Sequence, residues 1–275
     1  MSGCVRDQSV YNLSCEEERG GSNSAIRAQD NEARPTTPTL YVAGTRRKAY
    51  EMKFLISQEQ SEQVQMWAKQ SMALDRYAEP ALNDVYRIRS VYFDTERLDV
   101  YHRAPKFRRR KFRLRRYRDD HQVYLECKSK TGDRVSKRRT AVHEHEISCL
   151  HLPLSEVSWV GQWFHQRLIL QRLAPRMLIS YNRKAYVSAD VSGPLRLTLD
   201  RNIECAPAAG YCFEPGGNRL PLLTGETILE LKFCAAMPAI FKHLIQEIRL
   251  NPTAVSKYRR AVDAWGCAEI RRGTR

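Results

Sequence analysis

The sequence predicts an α+β protein, in which an antiparallel β-sheet with one charged face is flanked by α-helices. Two observations support this class. Several short segments after residue 48 alternate strictly between apolar and charged residues, which is the period of a β-strand. Longer segments with apolar residues at helical spacing lie among them, without the regular strand–helix–strand alternation that a parallel sheet requires.

Five segments show the strand alternation most clearly, and their polar faces share one composition. Tyr50–Phe54 places Glu51 and Lys53 on one face and three apolar side chains on the other. The pattern recurs in Lys111–Arg115, Val123–Lys128, Leu195–Asp200 and Ile228–Phe233. A charged face in water is the simplest interpretation of any single strand, but these faces carry mainly Arg, Lys and Glu instead of Thr, Ser and Gln. If the sheet closes into a β-barrel with these faces inward, it forms a tunnel with a charged interior.

A tunnel of this kind has an apolar outer surface, which helices must cover. The first predicted helix runs from Ser57 to about Leu74, and Ser57 and Gln60 stand at the spacing of a capping box. The other predicted helices are Ser155–Leu173, Ile240–Ile248 and Ser256–Trp265, the last ending at Gly266.

Positive charge is concentrated in one part of the chain. The 275 residues carry a formal net charge of +15, yet residues 1–47 hold six Arg against six acidic residues. We interpret residues 1–47 as a disordered polar leader, residues 48–266 as the tunnel domain and residues 267–275 as a basic tail. Between Arg103 and Arg118, ten of sixteen residues are Lys or Arg. So many cations in one domain indicate an anionic ligand, and phosphate is the anion that Arg and Lys bind best.

Several classes of protein are excluded by the sequence. It contains neither a Gly-Lys-Ser/Thr loop nor a Gly-x-Gly-x-x-Gly motif, so phosphates would be held by side chains on strands. No apolar run reaches the ~18 residues of a membrane span, and the first residues do not form a secretory signal. Eight scattered Cys without a Cys-x-x-Cys pair favour a reduced, cytoplasmic protein over a disulfide scaffold.

Eight short motifs occur in a defined order along the chain. They are Tyr50-Glu-Met-Lys-Phe54, Ser90-Val-Tyr-Phe-Asp-Thr95, Lys111-Phe-Arg-Leu-Arg-Arg-Tyr117, Leu125-Glu-Cys-Lys128, Ser180-Tyr-Asn-Arg183, Leu195-Arg-Leu-Thr-Leu-Asp200, Leu229-Glu-Leu-Lys232 and Val255-Ser-Lys-Tyr258. Together they resemble the catalytic domain of the vacuolar transporter chaperone (VTC) polyphosphate polymerases, within the CYTH-like triphosphate tunnel metalloenzyme superfamily. The resemblance covers about residues 48–265.

This resemblance implies a metal-dependent phosphotransferase that moves the γ-phosphoryl group of ATP to a polyphosphate chain. ATP and polyphosphate are the expected partners, with Mn²⁺ or Mg²⁺ as cofactor, and a membrane-protein partner is left open. The implied catalytic residues are Arg113, Arg115, Lys128 and Arg183. The implied phosphate-binding residues are Lys53, Lys137, Arg196, Ser256 and Lys257. The implied metal ligands are Glu230, Glu51 and Glu126.

The sequence departs from the superfamily pattern at one informative position. The wider superfamily opens with Glu-x-Glu-x-Lys, whereas Ala49 stands in the first position here, followed by Glu51 and Lys53. This argues against a simple inorganic triphosphatase or nucleoside triphosphatase, which remains the alternative enzyme.

Nucleic-acid binding is the alternative outside enzymes, because a basic domain with interspersed tyrosines also suits a phosphate backbone. Composition alone favours the two functions about equally. We expect no stable nucleic-acid complex, because the cations alternate along strands and because Glu51, Glu126 and Glu230 lie among them. These carboxylates would repel a polyanion unless they hold a metal.

Overall fold

Ten β-strands of this chain pair into one antiparallel sheet. The computed structural model describes residues 49–107, 110–131, 134–190, 193–234 and 236–273, so the predicted leader lies outside the described residues. The strands are β1 (Ala49–Ile56), β2 (Ala73–Leu74), β3 (Val85–Asp94), β4 (Arg110–Tyr117), β5 (Gln122–Thr131), β6 (Arg134–His143), β7 (Ala174–Ser188), β8 (Leu195–Pro207), β9 (Leu220–Leu222) and β10 (Thr227–Cys234). The helices are α1 (Gln58–Ser71), α2 (Asp99–His102), α3 (Gln162–Leu170), α4 (Ala239–Glu247) and α5 (Lys257–Gly273). The predicted α+β class is confirmed.

Eight strands form a continuous path in the order β1-β10-β8-β7-β3-β4-β5-β6, with β2 added to β7 and β9 to β8. The curved sheet is not a closed barrel, since no backbone ladder joins β1 to β6 within the described ranges. Side chains span this opening instead. Lys128 on β5 contacts Glu51 on β1, with 2.6 Å between Nζ and Oε2. The predicted tunnel therefore exists as a curved sheet whose seam is bridged by an ion pair.

The strand register places the charged residues on one face of the sheet. Residues directly opposite one another in neighbouring strands share a face. Lys53 lies opposite Glu230, and Glu230 lies opposite Thr198. On the other side of the sheet, Arg113 lies opposite Glu126. This face is the concave interior, as the alternation in the sequence predicts.

The apolar face of the sheet is covered by helices. Val64 and Ala68 of α1 pack with Phe241 and Leu244 of α4 on one side, against a buried cluster that contains Leu231. On the other side, α3 packs through Phe164 and Leu168 against the outer face of β3, β4 and β5, where the Phe93 and Phe164 rings meet edge to face at 5.6 Å. Both cores thus lie outside the tunnel, and burying them stabilises the curved sheet without filling its interior.

The predicted helix boundaries are partly confirmed. Helix α1 begins after Ser57, whose capping box with Gln60 is complete. Helix α3 begins only at Gln162, after Gly161, where a Cβ would overlap the Trp159 ring and Leu125. Helix α5 continues through Gly266 to Gly273, beyond its predicted end. In the described part of the chain, none of the helices combines the length and apolar character needed to cross a bilayer.

Candidate active site

A cavity of about 520 Å³ lies inside the curved sheet, beside the first turn of α5. Its described lining contains two carboxylates, Glu51 and Glu230, and eleven cationic side chains. These cations are Lys53, Arg103, Arg110, Lys111, Arg113, Arg115, Lys128, Arg183, Lys232, Lys257 and Arg259. A concave site with this excess of positive charge attracts and holds anions.

The two cavity carboxylates lie on neighbouring strands and share their lysine partners. Lys53 Nζ lies 3.1 Å from Glu51 Oε1 and 3.4 Å from Glu230 Oε2, so it bridges β1 and β10. Lys232 Nζ lies 2.6 Å from Glu230 Oε1, and Lys128 Nζ lies 2.6 Å from Glu51 Oε2. Each carboxylate is therefore surrounded by ammonium groups inside the cavity.

These lysines keep both carboxylates ionised. Burial and the neighbouring Glu230 would raise the pKa of Glu51, but Lys232, Lys53 and Lys128 outweigh them and lower it to about 2. Burial likewise opposes ionisation of Glu230, yet the same cations hold its pKa well below the usual value. Paired ionised carboxylates are the oxygen donors that Mg²⁺ and Mn²⁺ prefer, and one or two of them suffice beside phosphate oxygens. Glu51 and Glu230 thus fit a divalent ion.

Helix α5 contributes its first turn to the cavity wall. Lys257 Nζ lies 2.5 Å from Asp200 Oδ2, and Arg183 donates its Nε to Asp200 Oδ1 at 2.6 Å. Lys111 on β4 donates its Nζ to Ser256 Oγ at 2.7 Å. These contacts place Ser256 and Lys257 against the open side of the sheet.

Two arginines of β4 extend into the cavity and are held by fixed partners. Arg115 donates its Nε to Ser90 Oγ at 3.1 Å and its Nη2 to Tyr181 Oη at 3.0 Å. Arg113 donates its Nη1 to Tyr92 Oη at 3.0 Å and its Nε to a glutamate of β5 at 2.6 Å. Guanidinium groups oriented in this way are ready to form paired hydrogen bonds with phosphate oxygens.

Two titratable groups between these arginines have displaced pKa values. Burial opposes the charge of Lys111, and together with the nearby cations Lys53, Lys128 and Arg113 it outweighs Tyr92 and lowers the pKa of Lys111 to about 8. Burial would raise the pKa of Tyr92, but Arg113, Arg115, Lys111 and Lys257 outweigh it and lower the pKa to about 7. The charge of this wall therefore changes within the physiological pH range.

A second group of charges, outside the described lining of the cavity, surrounds Glu126. This carboxylate is 1% exposed and contacts three cations at 2.5–2.6 Å, namely Arg113, Lys137 and Arg139. Burial lowers the pKa of Lys137 to about 7, and Arg139 and Arg113 add to this effect while Glu126 opposes it. Because Glu126 lies outside the described cavity lining and is enclosed by these three cations, we treat it as a buried counter-ion.

Arg196 is also engaged away from the cavity. Its Nη2 lies 2.7 Å from Asp75 Oδ2 and donates to Tyr86 Oη at 3.2 Å. Asp75 belongs to the segment between β2 and β3, and its side chain is 3% exposed.

A family model described as the VTC domain matches residues 48–265, which is more than half of the chain. The chain belongs to the VTC domain family. This confirms the resemblance drawn from the eight motifs. No curated protein gives a significant match.

Solved structures resemble this VTC domain only distantly. A proposed adenylate cyclase from Bacillus halodurans is 11% identical, with a TM-score of 0.46 over 76% of this chain and 94% of that one. A proposed adenylyl cyclase from Hippeastrum, described as having a dominant triphosphatase activity, is 13% identical, with a TM-score of 0.45 over 77% and 93%. The PH1819 protein from Pyrococcus horikoshii is 12% identical, with a TM-score of 0.43 over 78% and 97%. At these values the similarities carry no functional inference.

The VTC domain brings together most of the residues that the sequence predicts for the site. The cavity lining contains Glu51, Lys53, Arg113, Arg115, Lys128, Arg183, Glu230, Ser256 and Lys257. Lys137, Arg196 and Glu126 lie outside this described lining. Among the described residues, no three His, Cys, Asp or Glu form a group that could hold a metal. The three predicted metal ligands are thus not one group, and the metal hypothesis rests on Glu51 and Glu230.

Sequence reasoning missed several cavity residues. Lys111 and Lys232 share strand faces with predicted site residues, so alternation alone could have included them. Tyr92 and Tyr181 also line the cavity, and only the positions of β3 and β7 in the sheet reveal this. Asp200 ends a recognised motif, but its contact with α5 joins residues far apart in the chain.

Proposed function

We propose that this VTC domain transfers the γ-phosphoryl group of ATP to the end of a polyphosphate chain and releases ADP. The observation that carries the proposal is the cavity, in which eleven cations but only two carboxylates face the same enclosed space in the described part of the chain. Such a lining suits a ligand with many successive negative charges. The membership of the VTC family supports polyphosphate as that ligand.

The chemistry requires charge neutralisation and alignment more than proton transfer. The attacking atom is an anionic phosphate oxygen, which needs no strong general base. We assign Arg113, Arg115, Lys128 and Arg183 to the reacting phosphoryl group, where fixed cations stabilise the charge of the transition state. Their partners, including Ser90 and Tyr181, hold them in position before the substrate binds.

Binding of the flanking phosphates is assigned to the remaining predicted residues of the cavity. Lys53, Ser256 and Lys257 line the same space as the four catalytic cations. The sequence predicts Lys137 and Arg196 for this role as well, but both lie outside the described lining of the cavity. We therefore expect the first three residues to contribute most to the affinity for triphosphate.

A divalent metal belongs to this proposal, and Glu51 and Glu230 are the residues that would hold it. Mg²⁺ or Mn²⁺ in such a site would neutralise charge on the nucleotide phosphates. Lys53, Lys128 and Lys232 pair with the two carboxylates and keep them deprotonated. Both glutamates are thereby available as anionic oxygen ligands.

Transfer is favoured over hydrolysis by the composition of the lining. A hydrolase must orient a water molecule, usually with a carboxylate that is free to accept its proton. The only carboxylates in the described lining are Glu51 and Glu230, which are the proposed metal ligands. The enclosed form of the site likewise argues against a groove for duplex nucleic acid.

Incubation of the purified protein with ATP and Mg²⁺ or Mn²⁺ tests the proposal. Electrophoresis should resolve polyphosphate from free phosphate, and ADP should form in proportion to the phosphate incorporated. A parallel reaction with excess chelator should form neither product. Free phosphate without polyphosphate would instead identify a triphosphatase. Unchanged ATP combined with salt-resistant DNA binding would favour a nucleic-acid-binding domain.

A further inference from the structure

Four tyrosines lie together at one end of the tunnel. Tyr86 is near the start of β3, Tyr117 is the last residue of β4, and Tyr124 is near the start of β5. Because these strands are antiparallel, the three residues meet at one edge of the sheet, while Lys111 lies at the opposite end of β4. The fourth member is Tyr77, from the segment between β2 and β3. We call Tyr77, Tyr86, Tyr117 and Tyr124 the tyrosine cluster.

The rings of the tyrosine cluster pack directly against one another. Tyr77 stacks on Tyr117 with 4.8 Å between the ring centroids and 10° between the ring planes. Tyr117 meets Tyr124 edge to face at 5.5 Å, and Tyr77 lies 5.7 Å from Tyr86. The three strand tyrosines are at most 9% exposed. Such packing leaves little room for a phosphate chain to pass.

The tyrosine cluster separates two recesses. On its inner side, the Arg115 guanidinium lies 5.9 Å from the Tyr117 ring centroid, and Arg115 lines the catalytic cavity. On its outer side, Tyr77 and Tyr117 line a second recess of about 480 Å³, whose other residues are Arg76, Arg118, Asp119 and Asp120. The described lining of the cavity includes none of the four tyrosines. Tyr117 therefore lies between the cavity residue Arg115 and the outer recess.

The Tyr77 backbone is held by Arg118, whose Nη2 donates to the Tyr77 carbonyl oxygen at 2.7 Å, and by Asp75, which is ion-paired inside the tunnel. Asp75 accepts a hydrogen bond from the backbone N–H of Tyr77 at 2.9 Å through Oδ1. Its other oxygen, Oδ2, lies 2.7 Å from Arg196 Nη2. Asp75 thus links the tyrosine segment to β8. We call the pair of Asp75 and Arg196 the latch.

Arg196 is close to the cavity although it does not line it. It lies directly opposite Lys232 in the β8–β10 ladder, and Lys232 does line the cavity. Side chains opposite one another in neighbouring strands are about 5 Å apart at Cβ. A phosphate chain that extends beyond Lys232 would consequently meet the guanidinium that Asp75 now occupies.

We propose that the tyrosine cluster is a gate for polyphosphate, held shut by the latch. Phosphate oxygens that bind Arg196 displace Asp75, and release of Asp75 frees Tyr77 to move away from Tyr117. The gate would then discriminate ligands by length, because a short phosphate chain stays within the cavity and a long one has to open it. This inference rests on the proposed function.

The gate predicts a length-dependent change in affinity. A ligand that binds only the open state has an apparent affinity equal to its intrinsic affinity multiplied by the fraction of molecules that are open. Asp75→Asn and Tyr77→Ala should each bind a long, size-fractionated polyphosphate about tenfold more tightly than the unaltered protein does. Tripolyphosphate, which fits the cavity, should bind all three proteins equally. Isothermal titration calorimetry with the two ligands measures both affinities without relying on turnover.

Two variants serve as matched controls. Asp84→Asn removes a negative charge from the same segment but leaves the latch intact, since Asp84 pairs with Lys184 at 3.4 Å. Tyr77→Phe retains the stacked ring. Both controls should bind the long chain as the unaltered protein does. Tyr77→Ala leaves the net charge unchanged, so tighter binding by this variant cannot arise from general electrostatics.

The outcomes separate the gate from the catalytic proposal. Suppose that both ligands bind, and that neither Asp75→Asn nor Tyr77→Ala alters the ratio of the affinity for long polyphosphate to that for tripolyphosphate. The gate is then wrong while the proposed function stands. If Asp84→Asn tightens long-chain binding as much as both test variants do, the gate is also wrong, because charge alone explains the effect. If neither ligand binds the unaltered protein, both proposals fail. Circular-dichroism melting curves confirm that each variant is folded.

Discussion

Arg183 on β7 donates both Nε and Nη2 to the carboxylate of Asp200 on β8, at 2.6 and 2.8 Å. Asp200 is fully buried and also contacts Lys257 of α5 at 2.5 Å. Burial would raise the pKa of Asp200, but Arg183 and Lys257 outweigh it and hold the pKa well below its usual value. One carboxylate thus joins two strands and the helix that covers the cavity.

The first prediction concerns the loss of this charge. Asp200→Asn should destabilise the protein by about 3–5 kcal/mol, because two buried cations lose their counter-ion. Urea unfolding at neutral pH measures the change. Tripolyphosphate should restore more stability to this variant than to the unaltered protein, since an anion near Arg183 and Lys257 compensates the missing carboxylate. Glu204→Gln, at a partly exposed position of the same strand, is the control and should change little.

The second prediction concerns the cationic wall of the cavity. Arg113→Ala combined with Arg115→Ala should lower turnover by about two to four decades, because each charge-assisted contact contributes about 1.5–3 kcal/mol. Arg116→Ala combined with Arg138→Ala removes the same charge from outside the described cavity lining and should retain most of the activity. Near-normal turnover by the first double variant would refute the assignment of Arg113 and Arg115.

A third prediction separates the metal-binding carboxylates from the buried counter-ion. Glu230→Gln and Glu51→Gln should each abolish metal-dependent turnover while tripolyphosphate binds equally or more tightly, because a negative charge has left the cavity. Glu126→Gln should instead lower the melting temperature, since three cations lose their shared partner, and leave the metal requirement unchanged. Turnover and metal dependence are measured by titration with Mg²⁺ and Mn²⁺. Normal turnover of Glu230→Gln with an unchanged metal requirement would exclude the ligand role.

The strand pattern predicted the fold class and the charged face because both are local. Alternation in Tyr50–Phe54 fixes which side chains share a face whatever the strand pairs with. The same reasoning could not predict that the seam is bridged by Lys128 and Glu51, which are separated by 77 residues. Strand order and curvature decide such contacts, and neither is encoded in a single segment.

The structure brings most of the predicted site residues to the cavity lining and leaves Lys137, Arg196 and Glu126 outside its described part. Arg196 and Lys137 have the residue type and strand face expected of phosphate binders. Asp75 and Glu126 occupy them in the folded protein. Asp75 belongs to no recognised motif, so the sequence gives no indication that it competes for Arg196. Short sequence motifs do not reveal which residues from distant segments form ion pairs.

The last prediction follows from the displaced pKa values of Lys111 and Tyr92, which are about 8 and about 7. The lowered pKa of Lys111 means that it loses its positive charge as the pH rises through 8. Ionisation of Tyr92 adds a negative charge over a slightly lower pH range. Both changes therefore weaken anion binding as the pH rises. The affinity for tripolyphosphate should therefore fall from pH 7 to pH 9, by up to about tenfold for Lys111 alone.

Lys111→Arg and Tyr92→Phe test the two contributions separately by calorimetric titration across this pH range. The guanidinium of Lys111→Arg stays charged at pH 9, so the affinity of this variant for tripolyphosphate should fall much less above pH 8 than that of the unaltered protein. Tyr92→Phe removes the ionisable hydroxyl and should reduce the fall in affinity near pH 7. The pKa of Lys111 should also be lower in this variant, because the negative charge of ionised Tyr92 is gone. Since tripolyphosphate itself titrates identically in all experiments, its contribution cancels between variants. A pH profile that is the same for Lys111→Arg and the unaltered protein would show that Lys111 does not face the bound phosphates.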